Sequence, residues 1–121
     1  MTKPVAIIIE DDPLLSQIYS LTLQDDFDVH TIIDGKEALL SLSRETPRLV
    51  ILDLNLPQVS GEEILSFIRS NQHLKNTSVI LCTANERLAD TLRNEADLIL
   101  LKPVSPIQLK EIASRLKQKP A

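Results

Sequence analysis

Four short apolar runs, each closed by a polar residue, constrain this chain more than anything else in it. Val5-Ala6-Ile7-Ile8-Ile9 ends at Glu10-Asp11, Leu49-Val50-Ile51-Leu52 at Asp53, Val79-Ile80-Leu81-Cys82 at Thr83, and Leu98-Ile99-Leu100-Leu101 at Lys102. The runs do not alternate apolar with polar. As strands they are therefore buried on both faces, the pattern of a parallel sheet covered by helices. In an open sheet of that kind the chemistry collects beyond the carboxyl ends of the strands. Four strands thus send three carboxylates, a hydroxyl and an ammonium to one edge.

The segments between the runs carry helical patterns. Asp12-Pro13 suits a helix start, with Asp12 as the cap and Pro13 at the first position. Leu14, Leu15, Ile18, Tyr19, Thr22 and Leu23 follow at helical spacing. Asp25-Asp26 interrupts, and Phe27 to Ile32 predicts a second strand. Asp34-Gly35 turns into a helix with Ala38, Leu39 and Leu42 on its inner stripe, stopped by Thr46-Pro47. Residues 55–61 form a loop, and Glu62 to Ser70 a third helix with Ile64, Leu65, Phe67 and Ile68 facing in. A short helix over about Arg87 to Arg93 closes at Asn94 in the left-handed conformation. Ser105-Pro106 opens a last helix through about Lys117, with Lys110, Arg115, Lys117 and Lys119 on its wet face. Five alternating units predict an α/β fold, a (βα)5 doubly wound parallel sheet with right-handed crossovers and helices on both faces. One domain is expected over 1–121, with a core of about 4–118.

Composition narrows the function. The chain has 121 residues and a hydrophobic fraction of 43%, enough for one core. No apolar run approaches the roughly 20 residues of a membrane span. Met1-Thr2-Lys3-Pro4 leads straight into a strand, so no signal peptide is expected. The single Cys82 lies inside an apolar run, so a reduced, cytoplasmic setting is expected. Net charge is −4, with one Tyr, two Phe and no Trp. There is no basic patch interleaved with aromatics, which argues against direct nucleic-acid binding.

Three converging carboxylates repel one another by roughly 3 kcal/mol per pair at about 5 Å and an effective dielectric near 20. A cation among them relieves this. Oxygen donors without His or Cys favour a hard ion, Mg²⁺ or Mn²⁺. Lys102 adds a second positive charge, and Thr83 offers a hydroxyl to a phosphoryl oxygen. A carboxylate can attack phosphorus to give an aspartyl-phosphate. Asp53, alone at its strand end, is the candidate. The remaining polar residues have structural roles. Asp12 is a helix cap, Ser60 and Gly61 are loop and helix-start residues, and Asp25, Asp26 and Asp28 form a solvated turn. His30 and His73 lie on the surface, and Cys82 is core packing.

These residues resemble the receiver domain of two-component response regulators over almost the whole chain. The matching stretches are Ile7-Ile8-Ile9-Glu10-Asp11-Asp12-Pro13-Leu14-Leu15, Leu49-Val50-Ile51-Leu52-Asp53-Leu54-Asn55-Leu56-Pro57 with Gly61, Cys82-Thr83-Ala84, and Leu101-Lys102-Pro103. Their order and spacing together make the match specific. The resemblance implies a flavodoxin-like sheet of strand order 2-1-3-4-5. It also implies a magnesium-dependent switch in which Asp53 takes a phosphoryl group from a sensor histidine kinase or phosphotransfer protein. By the same resemblance Glu10, Asp11, Asp53 and the Asn55 backbone carbonyl hold the metal, Glu10 largely through water. Thr83, Ala84 and Lys102 meet the phosphoryl group, and Asn55 and Asn85 tune how fast it is lost. Lys102-Pro103 is a candidate cis bond. The implied output is a downstream protein or an output domain; none is expected in this chain, which is expected to be a monomer or a weak dimer. Catalysis is limited to its own phosphorylation and dephosphorylation.

Two departures stand out. The switch position three before the lysine, an aromatic in receivers, is Ile99, which offers neither ring nor hydroxyl. The stretch from Thr83 to Lys102 is a few residues shorter than usual and has Glu95 where a glycine normally precedes the alanine-aspartate step; it implies a short, mobile fourth helix. These departures favour one alternative, a receiver that binds its partners without phosphorylation. Two other classes fit less well. A phosphohydrolase would want an acid where Asn55 stands and a cap over the site. A flavin carrier would need a phosphate loop where Glu10-Asp11-Asp12 places carboxylates.

Overall fold

In the computed structural model, which describes residues 2–118, the apolar runs become strands and the periodic segments become helices. The order is β1 (Val5–Ile9), α1 (Pro13–Leu23), β2 (Asp28–Ile32), α2 (Gly35–Arg44), β3 (Leu49–Asp53), α3 (Gly61–Ser70), β4 (Ser78–Thr83), α4 (Glu86–Leu92), β5 (Leu98–Leu101) and α5 (Pro106–Lys117). All strand pairs are parallel, and the sheet runs β2-β1-β3-β4-β5. This is the doubly wound, flavodoxin-like arrangement expected from the sequence.

Side chains alternate across a strand, so one apolar run feeds two layers. Ile7, Ile9, Val50, Leu52 and Leu81 pack with Ala38, Leu42, Ile64, Leu65 and Ile68 of α2 and α3. Ala6, Ile8, Leu49, Ile51 and Ile80 pack with Tyr19, Leu23, Leu109 and Ala113 of α1 and α5. Each fully buried aliphatic side chain contributes about 1.5–3 kcal/mol of transfer free energy. Each helix starts on a side-chain cap. Asp12 Oδ1 accepts from the N–H groups of Leu14 at 2.9 Å and Leu15 at 3.4 Å. Asp34, Ser60, Asn85 and Ser105 cap the four later helices in the same way.

At the amino edge of the sheet, Arg69 of α3 acts as a clamp. Its guanidinium donates to the Glu95 carbonyl, to the Thr77 carbonyl at 3.1 Å and to Asp97 Oδ2 at 2.9 Å. Asp97 Oδ2 also accepts the Val79 N–H at 2.7 Å, while the Asp97 N–H donates to the Val79 carbonyl at 3.0 Å. Asp97 thereby acts as one more ladder residue ahead of β5.

Several local expectations need correction. Leu14 is 64% exposed, and Ser16 takes a buried place on α1 instead, because the inward stripe runs through Ser16, Tyr19 and Leu23. Phe27 precedes β2 and is buried in the core. Helix α3 begins one residue early, at Gly61, and α4 covers Glu86–Leu92. A 3-10 turn at Gln72–Leu74, not expected from the sequence, buries Leu74. Asn94 is not left-handed. The chain leaves α4 through Arg93 at φ −57, and the Glu95 N–H donates to the Leu92 carbonyl. Among the described non-glycine residues only Gln58 has a positive φ, of 69. The acidic turn is not simply solvated: Asp25 and Asp26 pair with Lys110 and Lys117 of α5, each at 3.4 Å. Lys119, assigned to the wet face of the last helix, lies outside the described residues. No described helix is long and apolar enough to cross a membrane.

Candidate functional site

The sheet positions the polar strand ends through its own ladder. The Glu10 N–H donates to the Ile32 carbonyl at 3.0 Å, and the Lys102 N–H to the Thr83 carbonyl at 2.9 Å. Pairing thus continues one residue past β1 and β5, and fixes both backbones where their side chains turn over the edge. Asp53 closes β3 in register with Cys82, and Thr83 closes β4 in register with Leu101.

Glu10, Asp53 and Thr83 are only 1–3% exposed, whereas Asp11 is exposed. One carboxylate oxygen from each of Glu10, Asp11 and Asp53 lies within 4.8 Å of the others. Lys102 Nζ reaches Asp53 Oδ1 at 3.1 Å and Glu10 Oε1 at 3.3 Å. Three backbone donors trim the rest. The Asn55 N–H meets Asp53 Oδ1 at 3.4 Å, the Asp12 N–H meets Glu10 Oε2 at 3.3 Å, and the Asn85 N–H meets Thr83 Oγ1 at 3.1 Å.

This crowding moves proton affinities. Burial, and then the neighbouring Asp53 charge, push the Glu10 carboxyl up from 4.5 to about 7. The Asp12 N–H and Lys102 only partly offset this. Burial alone would lower Lys102, but its hydrogen bond to Asp53 and the charges of Asp53 and Glu10 outweigh that and raise it. Cys82, one residue before Thr83, is pushed by burial up to about 12, so its thiol stays protonated and inert near neutrality.

The donor set consists of three clustered carboxylates, with the backbone carbonyl of the exposed Asn55 next along the chain from Leu54. Hard oxygen donors of this kind fit Mg²⁺ or Mn²⁺. Ala84 and Asn85 are exposed just beyond Thr83. Ile99 stands opposite Leu81 and packs against the core layer under α2 and α3. The Lys102–Pro103 peptide is cis.

Sequence reading assigns the chain's two glycines to helix starts, and misses that both make close backbone contacts beside the site. A Cβ built on Gly61 would lie 2.6 Å from Leu54 Cα and 2.7 Å from the Asp53 carbonyl oxygen. One built on Gly35 would lie 2.5 Å from the Val59 carbonyl oxygen. The available signal was scarcity: both glycines sit at helix starts, and neither has a positive φ.

A family model described as the response regulator receiver domain matches residues 6–114. The DNA-binding response regulator MtrA of Mycolicibacterium smegmatis is 30% identical over 92% of this chain, which spans 48% of that relative's length. The structure of the chemotaxis response regulator CheY4 of Vibrio cholerae superposes with a TM-score of 0.85 at 27% identity, covering 95% of this chain and 99% of that one. The receiver domain of a sensor histidine kinase from Pseudomonas aeruginosa, solved with a magnesium ion in its active-site cleft, gives a TM-score of 0.87. At 23% identity, covering 98% of this chain and 100% of that one, it shares the fold.

Proposed function

Since the chain belongs to the response regulator receiver domain family of two-component systems, we propose that it is a phosphoacceptor switch whose acceptor is Asp53. The observation that carries this is the convergence of Asp53, Glu10 and Asp11 within 4.8 Å, with Lys102 bonded to two of them. An Asp53 carboxylate oxygen attacks the phosphorus of a phosphohistidine on a sensor kinase or phosphotransfer protein. The new O–P bond forms as the P–N bond breaks, and the imidazole leaves with the electron pair. Glu10, Asp11, Asp53 and the Asn55 carbonyl would hold Mg²⁺, which when bound would supply charge neutralisation for the phosphoryl oxygens. Lys102 exchanges a carboxylate oxygen for a phosphoryl oxygen, and the Thr83 hydroxyl donates to another. Asn55 and Asn85, flanking the site, govern access of the water that later hydrolyses the acyl phosphate. The added charge of roughly −1.5 to −2 biases the loops after β3 and β4 and is read by a downstream protein or output domain.

The test is intact-mass spectrometry after incubation with acetyl phosphate and Mg²⁺. A single phosphoryl adduct is expected, absent in Asp53→Asn and in EDTA. No adduct on the unaltered chain, with Mg²⁺ still bound by calorimetry, would sink the proposal. It would leave the second reading, a binding module that works without phosphorylation. Ile99 favours that reading, because an aliphatic side chain at this position offers no ring to rearrange.

A further inference from the structure

The segment from Leu54 to Ser60 leaves the phosphoacceptor strand and must return at once to start α3. Its course is unusually constrained. Pro57 locks one φ angle. Gln58 takes φ 69, and the Val59 N–H donates to the Pro57 carbonyl at 2.8 Å. This is a three-residue γ-turn of the positive-φ kind, which is rare and strained for a residue with a side chain. The turn is gripped from two sides. Gly61 lies against Asp53 and Leu54, and its N–H donates to the Leu54 carbonyl at 3.3 Å. Gly35, from the start of α2, lies against Val59. The chain thus places its two glycines where backbones press on this loop, and spends neither on the positive φ within it.

We propose that Gly35 is a positioning residue for the reaction at Asp53. Its bare Cα lets the Val59 carbonyl seat on α2. The seat holds the Pro57–Gln58–Val59 turn closed, and the closed turn sets where the Asn55 carbonyl stands relative to Asp53. This rests on the phosphoacceptor reading above. Ordinary contact begins near 3.4 Å, and a Cβ at position 35 would lie 2.5 Å from the Val59 oxygen. Val59 would therefore retreat by roughly 1 Å, a misplacement that costs on the order of 10²-fold where geometry limits a reaction. Gly61 anchors the other end of the loop, so the shift is absorbed between Leu54 and Val59, where Asn55 lies.

The experiment compares the unaltered chain, Gly35→Ala and Gln58→Gly. It measures adduct formation from acetyl phosphate across Mg²⁺ concentrations, amide NMR shifts of Asn55 and Val59 on adding Mg²⁺, and urea unfolding. For Gly35→Ala the half-saturating Mg²⁺ concentration is expected to rise about tenfold or more, with half-saturation by acetyl phosphate nearly unchanged. Gln58→Gly relieves the turn without removing packing. It is expected to unfold no more easily than the unaltered chain, yet to need several-fold more Mg²⁺. An unchanged Mg²⁺ requirement in Gly35→Ala, whatever its stability, overturns the proposal. If Gly35→Ala does not fold, an unchanged requirement in Gln58→Gly does so. Absence of an adduct on the unaltered chain overturns the phosphoacceptor reading, and this inference with it.

Discussion

The two edges of one sheet use charge in opposite ways. At the amino edge, the Arg69 guanidinium meets one carboxylate and two carbonyls, and that carboxylate also takes a strand N–H. Charge and hydrogen-bonding capacity match there, so the arrangement stabilises the fold. At the carboxyl edge, two carboxyls that are almost fully buried share one ammonium, with a third carboxylate beside them. The mismatch raises Glu10 to about 7. Stability is concentrated where nothing needs to change, and electrostatic tension where a ligand is expected.

If the edges are separate in this sense, the largest effect on stability comes from the amino edge. Asp97→Ala leaves the buried Val79 N–H without its acceptor and takes the carboxylate from Arg69, which keeps the Glu95 and Thr77 carbonyls. A loss of about 2–3 kcal/mol in urea unfolding is expected, with adduct formation and Mg²⁺ requirement unchanged. A changed Mg²⁺ requirement would mean that the edges communicate through β4.

The next effect belongs to the carboxyl edge and is read through pH. Glu10 titrates near 7 in the folded chain and near 4.5 when unfolded. Between those values only the folded state holds the proton, so stability is gained as pH falls through 7 and is fully present below 4.5. From pH 7.5 to 5.5 in EDTA this amounts to roughly 2 kcal/mol. Lys102 is raised from 10.5 and stays charged throughout this window, so it adds no slope. Glu10→Gln should flatten the profile; the same slope in that variant would assign it to another group. Mg²⁺ should bind more weakly at pH 6 than at pH 8, since the proton and the metal compete.

The smallest effect separates a cap from a ligand within the acidic cluster. Asp12 serves the Leu14 and Leu15 N–H groups. Asp12→Ala should cost about 1 kcal/mol and leave the Mg²⁺ requirement as it was. A large rise in that requirement would move Asp12 into the metal site.

Much of this was legible because strand burial and strand ends are local signals. An unalternating run predicts a doubly covered strand, and the polar residue after it predicts what reaches the edge. The rule weakens at the rim of the sheet. Leu101 is 45% exposed, since β5 has a neighbour on one side only. Ser16 could not be chosen over Leu14 from spacing alone, because capping set the phase of α1. The Arg69–Asp97 clamp and the Asp25–Lys110 pair join residues 28 and 85 apart in sequence. No periodic pattern records such meetings. Gln58 in a positive φ is likewise invisible, because no Gly or Asn marks the position in the sequence.

Lys102 also bears on how the site is filled. Its ammonium spans from β5 to carboxylates on β3 and β1, so the sheet carries a tethered competitor for its own cation position. A divalent ion sharing those oxygens would exchange with this ammonium rather than add to it, against a tethered charge held at high effective concentration. The ammonium so released would face the place where a phosphoryl group would arrive.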